Sequence, residues 1–135
     1  VAVDEINWWA VLTATLLYFA LGAAWFTPLF GRAWDRAIGV DRSATEGKFP
    51  AAYYVVPLVT AAVCCVVIAF LAAAGPGDPA ASVGVGFGVG LAIAAATFTN
   101  SLTPHTPKPY QFAAITGSYH VVACVAASVV IGLWV

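Results

Sequence analysis

The chain alternates long runs without a charge and short stretches that hold its polar punctuation. A helix needs about 20 apolar residues to cross the hydrocarbon core of a bilayer. Four segments qualify: Ile6 to Phe26, Pro50 to Ala74, Ala80 to Thr103 and Gln111 to Trp134. The second and third are joined by "GPGDP", a turn dense in helix breakers. The third and fourth are joined by "PHTPKPY", whose prolines end one helix before the next begins. Pro57 lies inside the second segment and predicts a kink there.

Only the stretch between the first two segments is long enough for an element of its own. It begins "TPLFGRAWDRAIGV". Phe30, Trp34, Ala37 and Ile38 recur at helical spacing, with Arg32, Asp35 and Arg36 on the remaining face. This pattern predicts a short amphipathic helix over residues 29 to 39, lying in the headgroup region and stopped by Gly39. The expected architecture is all-α: a four-transmembrane-helix bundle, one membrane domain over residues 1 to 135, with this helix in the first loop.

Composition agrees with the pattern. Hydrophobic residues make up 62% of the chain and charged residues 8%, with a mean hydropathy of +0.94. Soluble domains carry about 25% charged residues, so this chain cannot cover itself with a water-compatible surface. The formal net charge of −1 leaves no footprint for nucleic acid. Asp4 and Glu5 stand where a signal peptide would place its positive region, so no such leader is expected. The chain has no methionine, which fits a trimmed start or a GTG start codon read literally as Val1. The latter, with the Ala/Val/Gly-rich composition, suggests a bacterial gene and the cytoplasmic membrane.

Charge also sets a direction. Arg32, Arg36, Arg42 and Lys48 fall in the first loop and Lys108 in the third, while the other side has no basic residue. The positive-inside rule then puts both termini outside and the long loop in the cytoplasm. Trp8, Trp9 and Trp134 would mark the outer interface, and Trp25 and Trp34 the inner one.

The third segment contains "GVGFGVG", which lacks the spacing of a phosphate-binding loop. On a helix it gives two small-residue pairs on roughly opposite faces, Gly84 with Gly88 and Gly86 with Gly90. Small residues let helix backbones approach closely in lipid. Both faces are expected to meet a neighbour, one of which could come from a second subunit or from the same chain.

Three sets of residues now look familiar: "INWWAVL", "ALGAAWFTPLFGRAW" and "ITGSYHVV". They resemble the domain-of-unknown-function-1761 family of small bacterial membrane proteins. That family has an Asn-Trp opening, a Trp-x-x-Pro-Leu-x-Phe/Gly-Lys/Arg-x-Trp motif after the first span, and a Tyr-His pair in the last. These fall on Asn7, Trp8, Trp25, Pro28, Leu29, Gly31, Arg32, Trp34, Tyr119 and His120. The third loop departs from the family, with prolines in place of a bulkier connection. The resemblance implies a four-helix membrane protein and no particular activity.

Candidate chemistry is sparse. No carboxylate lies inside a span, and nothing resembles a nucleophile elbow or a P-loop, so an enzyme is not expected and no cofactor is implied. His120 is an ionisable ring within an apolar segment. It shares a small, polar stripe with Thr116, Gly117, Cys124, Ala127 and Ser128. The opposite stripe of Phe112, Ile115, Tyr119, Val122, Val129 and Leu133 reads as lipid-facing. His120 should therefore point into protein, either as a hydrogen-bonded tie between helices or as a proton or ligand site. Counted from Tyr110, it lies about 15 Å deep, level with Tyr18, Thr60 and Thr97, and it should bond at least one of those hydroxyls. Cys64, Cys65, His120 and Cys124 reach similar depths, so a metal cluster is a weak alternative to no metal at all. Cysteine is also a common buried apolar residue.

The expected partner is the lipid bilayer, with a homo-oligomer or a larger membrane complex beyond it. The leading function is a structural, accessory or self-assembling membrane subunit. An oligomeric channel or small-solute or proton carrier using the His120 face is the alternative, and a membrane redox or metal-binding protein is the third.

Overall fold

The computed structural model describes residues 1–45 and 48–134. Five α-helices carry the described chain: α1 (Trp8–Ala24), α2 (Gly31–Ile38), α3 (Ala52–Ala73), α4 (Pro79–Ser101) and α5 (Pro109–Leu133). Four helical stretches are long and apolar enough to cross a membrane: Trp8–Leu29, Ala52–Ala73, Pro79–Ser101 and Pro109–Leu133.

The ends of these helices follow from local chemistry. Asn7 caps α1, its side-chain oxygen accepting from the backbone of Trp9 at 3.1 Å and Ala10 at 3.2 Å. Such a cap satisfies donors that an α-helix leaves unpaired at its start. Its amide nitrogen donates to the carbonyl of Trp134, 3.0 Å away beyond the end of α5. Asp78 caps α4 in the same way, ahead of Pro79, which needs no donor in the first turn. Pro57 falls near the start of α3, and the helix continues through it to Ala73.

The first span does not stop at Phe26. It widens into a π-helical turn over Trp25–Leu29, which contains Pro28, and the chain then turns at Phe30 into α2. Such wide turns occur mostly as short interruptions of α-helices, often at functional sites. Arg42, from the loop beyond α2, secures this corner. Its guanidinium donates to the carbonyls of Phe26 at 2.5 Å and Gly31 at 3.2 Å, pairs with Asp35 and stacks 4.9 Å from the centre of the Trp34 ring.

Much of the apolar stripe of α2 packs against the rest of the chain. Ala37 is fully buried, and Trp34 packs against Phe26 and Phe112. Phe30 remains exposed and stacks on Trp25. The α4–α5 loop also docks here, with Lys108 donating its backbone N–H to the carbonyl of Ala37.

The core is built largely from small side chains: Ala14, Ala61, Ala69, Ala72, Ala123 and Ala127, with Cys65, Cys124, Tyr18 and Ile68 among them. A bilayer supplies little hydrophobic drive between helices, so close van der Waals packing must hold them. The α4–α5 hairpin shows how. A Cβ placed on Gly86 would lie 2.5 Å from the Cys124 carbonyl, and one on Gly90 would lie 2.7 Å from the Val121 backbone. Further along, Gly117 sits against Ala94 and Gly132 against Ser82.

Within the chain, only one glycine face of α4 is covered. Gly86 and Gly90 are buried, whereas Gly84 and Gly88 have nothing within 4 Å. The neighbour on the covered face belongs to the same chain.

Candidate intramembrane polar site

Three spans bring their polar groups together midway along the bundle. Tyr18 of α1 is almost fully buried, with its hydroxyl 2.6 Å from Nδ1 of His120 and 3.6 Å from Sγ of Cys124, both on α5. From α3, the Cys64 thiol comes within interaction range of Cys124 and of the Tyr18 hydroxyl. Next to it, Cys65 faces Thr15, whose own hydroxyl donates to the carbonyl of Val11. Polar groups in hydrocarbon must find partners within the protein. Among the described residues, no buried side-chain nitrogen or oxygen is left without one.

A second tyrosine completes the arrangement. The Tyr119 hydroxyl donates to the carbonyl of Tyr18 at 3.2 Å. Gly22, one turn further along α1, makes room: a Cβ there would fall 2.7 Å from that hydroxyl. The Tyr119 ring meets Tyr18 and Phe26 edge-on, with centroids 5.6 Å and 5.0 Å away, geometries that favour aromatic pairs. Tyr119 is thus buried between α1 and α5. This corrects the assignment of Tyr119 to lipid; Val122, Val129 and Leu133 of the same stripe are exposed.

Below this layer two indoles tie the corner to α5. Trp25 donates to the carbonyl of Ile115 at 2.9 Å, and Trp34 to the hydroxyl of Thr116 at 3.3 Å. Both rings are half-buried against the protein. Trp8, Trp9 and Trp134 at the other end are exposed.

Of the hydroxyls level with His120, the structure brings in Tyr18 alone. Thr60 is exposed on the outside of α3, and Thr97 lies on α4 with no bond to the ring. Among the described residues, no group of three or more His, Cys, Asp or Glu side chains is placed to hold a metal ion. Cys64, Cys65 and Cys124 are buried free thiols.

The arrangement can do two things chemically. It ties α1 to α5 by directional bonds, and it gathers a histidine and a thiol around the Tyr18 hydroxyl. Two hollows lie elsewhere. One of about 140 Å³ sits at the end shared by Asn7, Ile131 and Trp134. The other, about 470 Å³, is lined by Thr27, Pro28, Leu29, Arg32, Ala33 and Arg36.

A family model described as "Protein of unknown function (DUF1761)" matches residues 9–132, nearly the whole chain. No curated protein and no solved structure matches.

Proposed function

The chain belongs to the DUF1761 family, and from that starting point we propose that it is a multi-pass protein of the bacterial cytoplasmic membrane, serving as a self-assembling or accessory subunit rather than as an enzyme. One observation carries the reading. Gly84 and Gly88 open onto empty space on α4, the least covered of the four spans. A second helix could approach that bare backbone as closely as α5 approaches Gly86 and Gly90, and close approach is what favours association in lipid. The occupant is a second copy of the chain or a span of a larger complex. Both termini face outward, and the loop carrying Arg32 to Lys48 faces the cytoplasm, because all basic residues lie on that side.

The test is purification from native membranes in mild detergent, with mass analysis of what remains bound. A second copy or a fixed partner supports the reading. A chain that runs alone at every detergent concentration would remove it.

The contact between Tyr18 and His120 favours a second reading, a proton or small-solute carrier using that face. His120→Ala would then alter transport and its pH dependence in proteoliposomes while assembly stays intact.

A further inference from the structure

The basic face of α2 has an unfilled requirement. Arg32 and Arg36 stand one turn apart and are both exposed. Among the described residues neither has a hydrogen-bond or ion-pair partner. Asp35, the acid between them in sequence, is held by Arg42. Like charges one turn apart on a helix repel, and among the described residues no carboxylate pairs with either of them. Both line the roughly 470 Å³ hollow, with Thr27, Pro28, Ala33 and Leu29 completing it. Leu29, which lines the hollow, is exposed, as is the next residue, Phe30, so an apolar surface adjoins the paired charge.

We propose that this hollow binds the headgroup phosphate of an anionic membrane phospholipid, with the acyl chains running along Leu29 and Phe30. Charge complementarity selects the occupant. Guanidinium groups favour phosphate because their planar forks match its oxygens. A lipid also uses the apolar rim, which a free anion would not. The corner defines the hollow: the wide turn at Trp25–Leu29 brings Thr27 and Leu29 beside the arginines of α2. The inference rests on the chain being embedded in a bilayer and is independent of which oligomer forms.

The experiment reconstitutes the full chain in nanodiscs of phosphatidylcholine doped with phosphatidylglycerol and counts the phosphatidylglycerol retained after transfer to detergent. An Arg32→Gln/Arg36→Gln variant should retain it roughly 10- to 30-fold less tightly, since it loses the direct guanidinium–phosphate contacts in the hollow. A Lys48→Gln/Lys108→Gln variant removes the same charge elsewhere on that side and should retain it as the parent does. Unchanged thermal stability shows that the variants are folded. If the arginine pair is destabilised, the single Arg36→Gln variant replaces it and should lose roughly 5-fold. Inorganic phosphate at the same headgroup concentration should not displace the lipid. Equal retention by the arginine variant, an equal loss in the lysine variant, or displacement by inorganic phosphate would each overturn the site.

Discussion

The hydroxyl of Tyr18 stands 2.6 Å from Nδ1 of His120, joining α1 to α5 inside the bundle. Interhelical bonds of this kind contribute about 0.6 to 2 kcal/mol. Tyr18→Phe and His120→Ala should each weaken the bundle by about that much without unfolding it, and the double variant should cost less than the sum. Unfolding curves in a fixed detergent measure all three. Strict additivity would mean that the bond contributes nothing.

The two glycine faces of α4 should respond differently to bulk. Gly86→Leu drives a side chain into the Cys124 carbonyl and the Ser128 side chain, so the α4–α5 hairpin must open. A loss of about 3 kcal/mol or more is expected, as for severe overpacking. Gly88→Leu meets nothing in the chain, so its thermal stability as a monomer should match the parent. Only its assembly should fall, which light scattering in mild detergent reads. Equal destabilisation by both would contradict the one-sided packing.

Arg42 should matter more than its place in a loop implies. Arg42→Gln removes the pairing to Asp35 and leaves the carbonyls of Phe26 and Gly31 without their guanidinium donor. The pair is partly solvated, which limits the cost to about 1 to 2 kcal/mol. The effect should be local: amide exchange across Gly31–Ile38 rises while the centre of α5 stays protected. Uniform acceleration along the whole chain would refute the idea of a local tie.

Topology can be tested with the chain's own chemistry. The three native thiols are buried and should react slowly with an impermeant maleimide. A cysteine introduced at exposed Ser43 should label only after the membrane is opened from the cytoplasmic side, and one at exposed Asp78 should label in intact cells. The reverse pattern would invert the assignment of the termini.

The polar site was half legible in the sequence. His120 and Tyr18 could be paired because their depths agree and each is a polar group in an apolar segment. Thr60 matched in depth as well, yet it faces outward. Depth fixes height along a helix but not rotation about it, and α3 is apolar all round, with no polar stripe to mark its inner face. The inward residues are Cys64, Cys65 and Ile68, side chains that lipid would also accept. Tyr119 was misplaced for a related reason. Three residues of its stripe are exposed, but a bare Gly22 on another helix admits its ring, and no periodicity within α5 carries that information. The glycine pairs of α4 showed two faces that could pack, while the choice between them was made by the Cys124 and Ser128 positions of α5. Arg42 gave no local signal, because its partners lie 7 to 16 residues away across a corner that hydropathy alone does not predict.

Asn7 caps α1 with its oxygen and holds the Trp134 carbonyl with its nitrogen, so the start of α1 meets the end of α5 and the four spans close into a ring. A ring can be cut elsewhere. A short linker between the present ends, with new ends cut at the exposed Gly77 turn, would give the order α4, α5, α1, α2, α3. Gly77 already adopts a positive φ of 75° and has nothing within 4 Å, so the cut would disturb no packing there. Because that turn lies on the same side of the bundle as Asn7 and Trp134, every span would keep its direction through the membrane. Helix order along the gene is then separable from helix order in space.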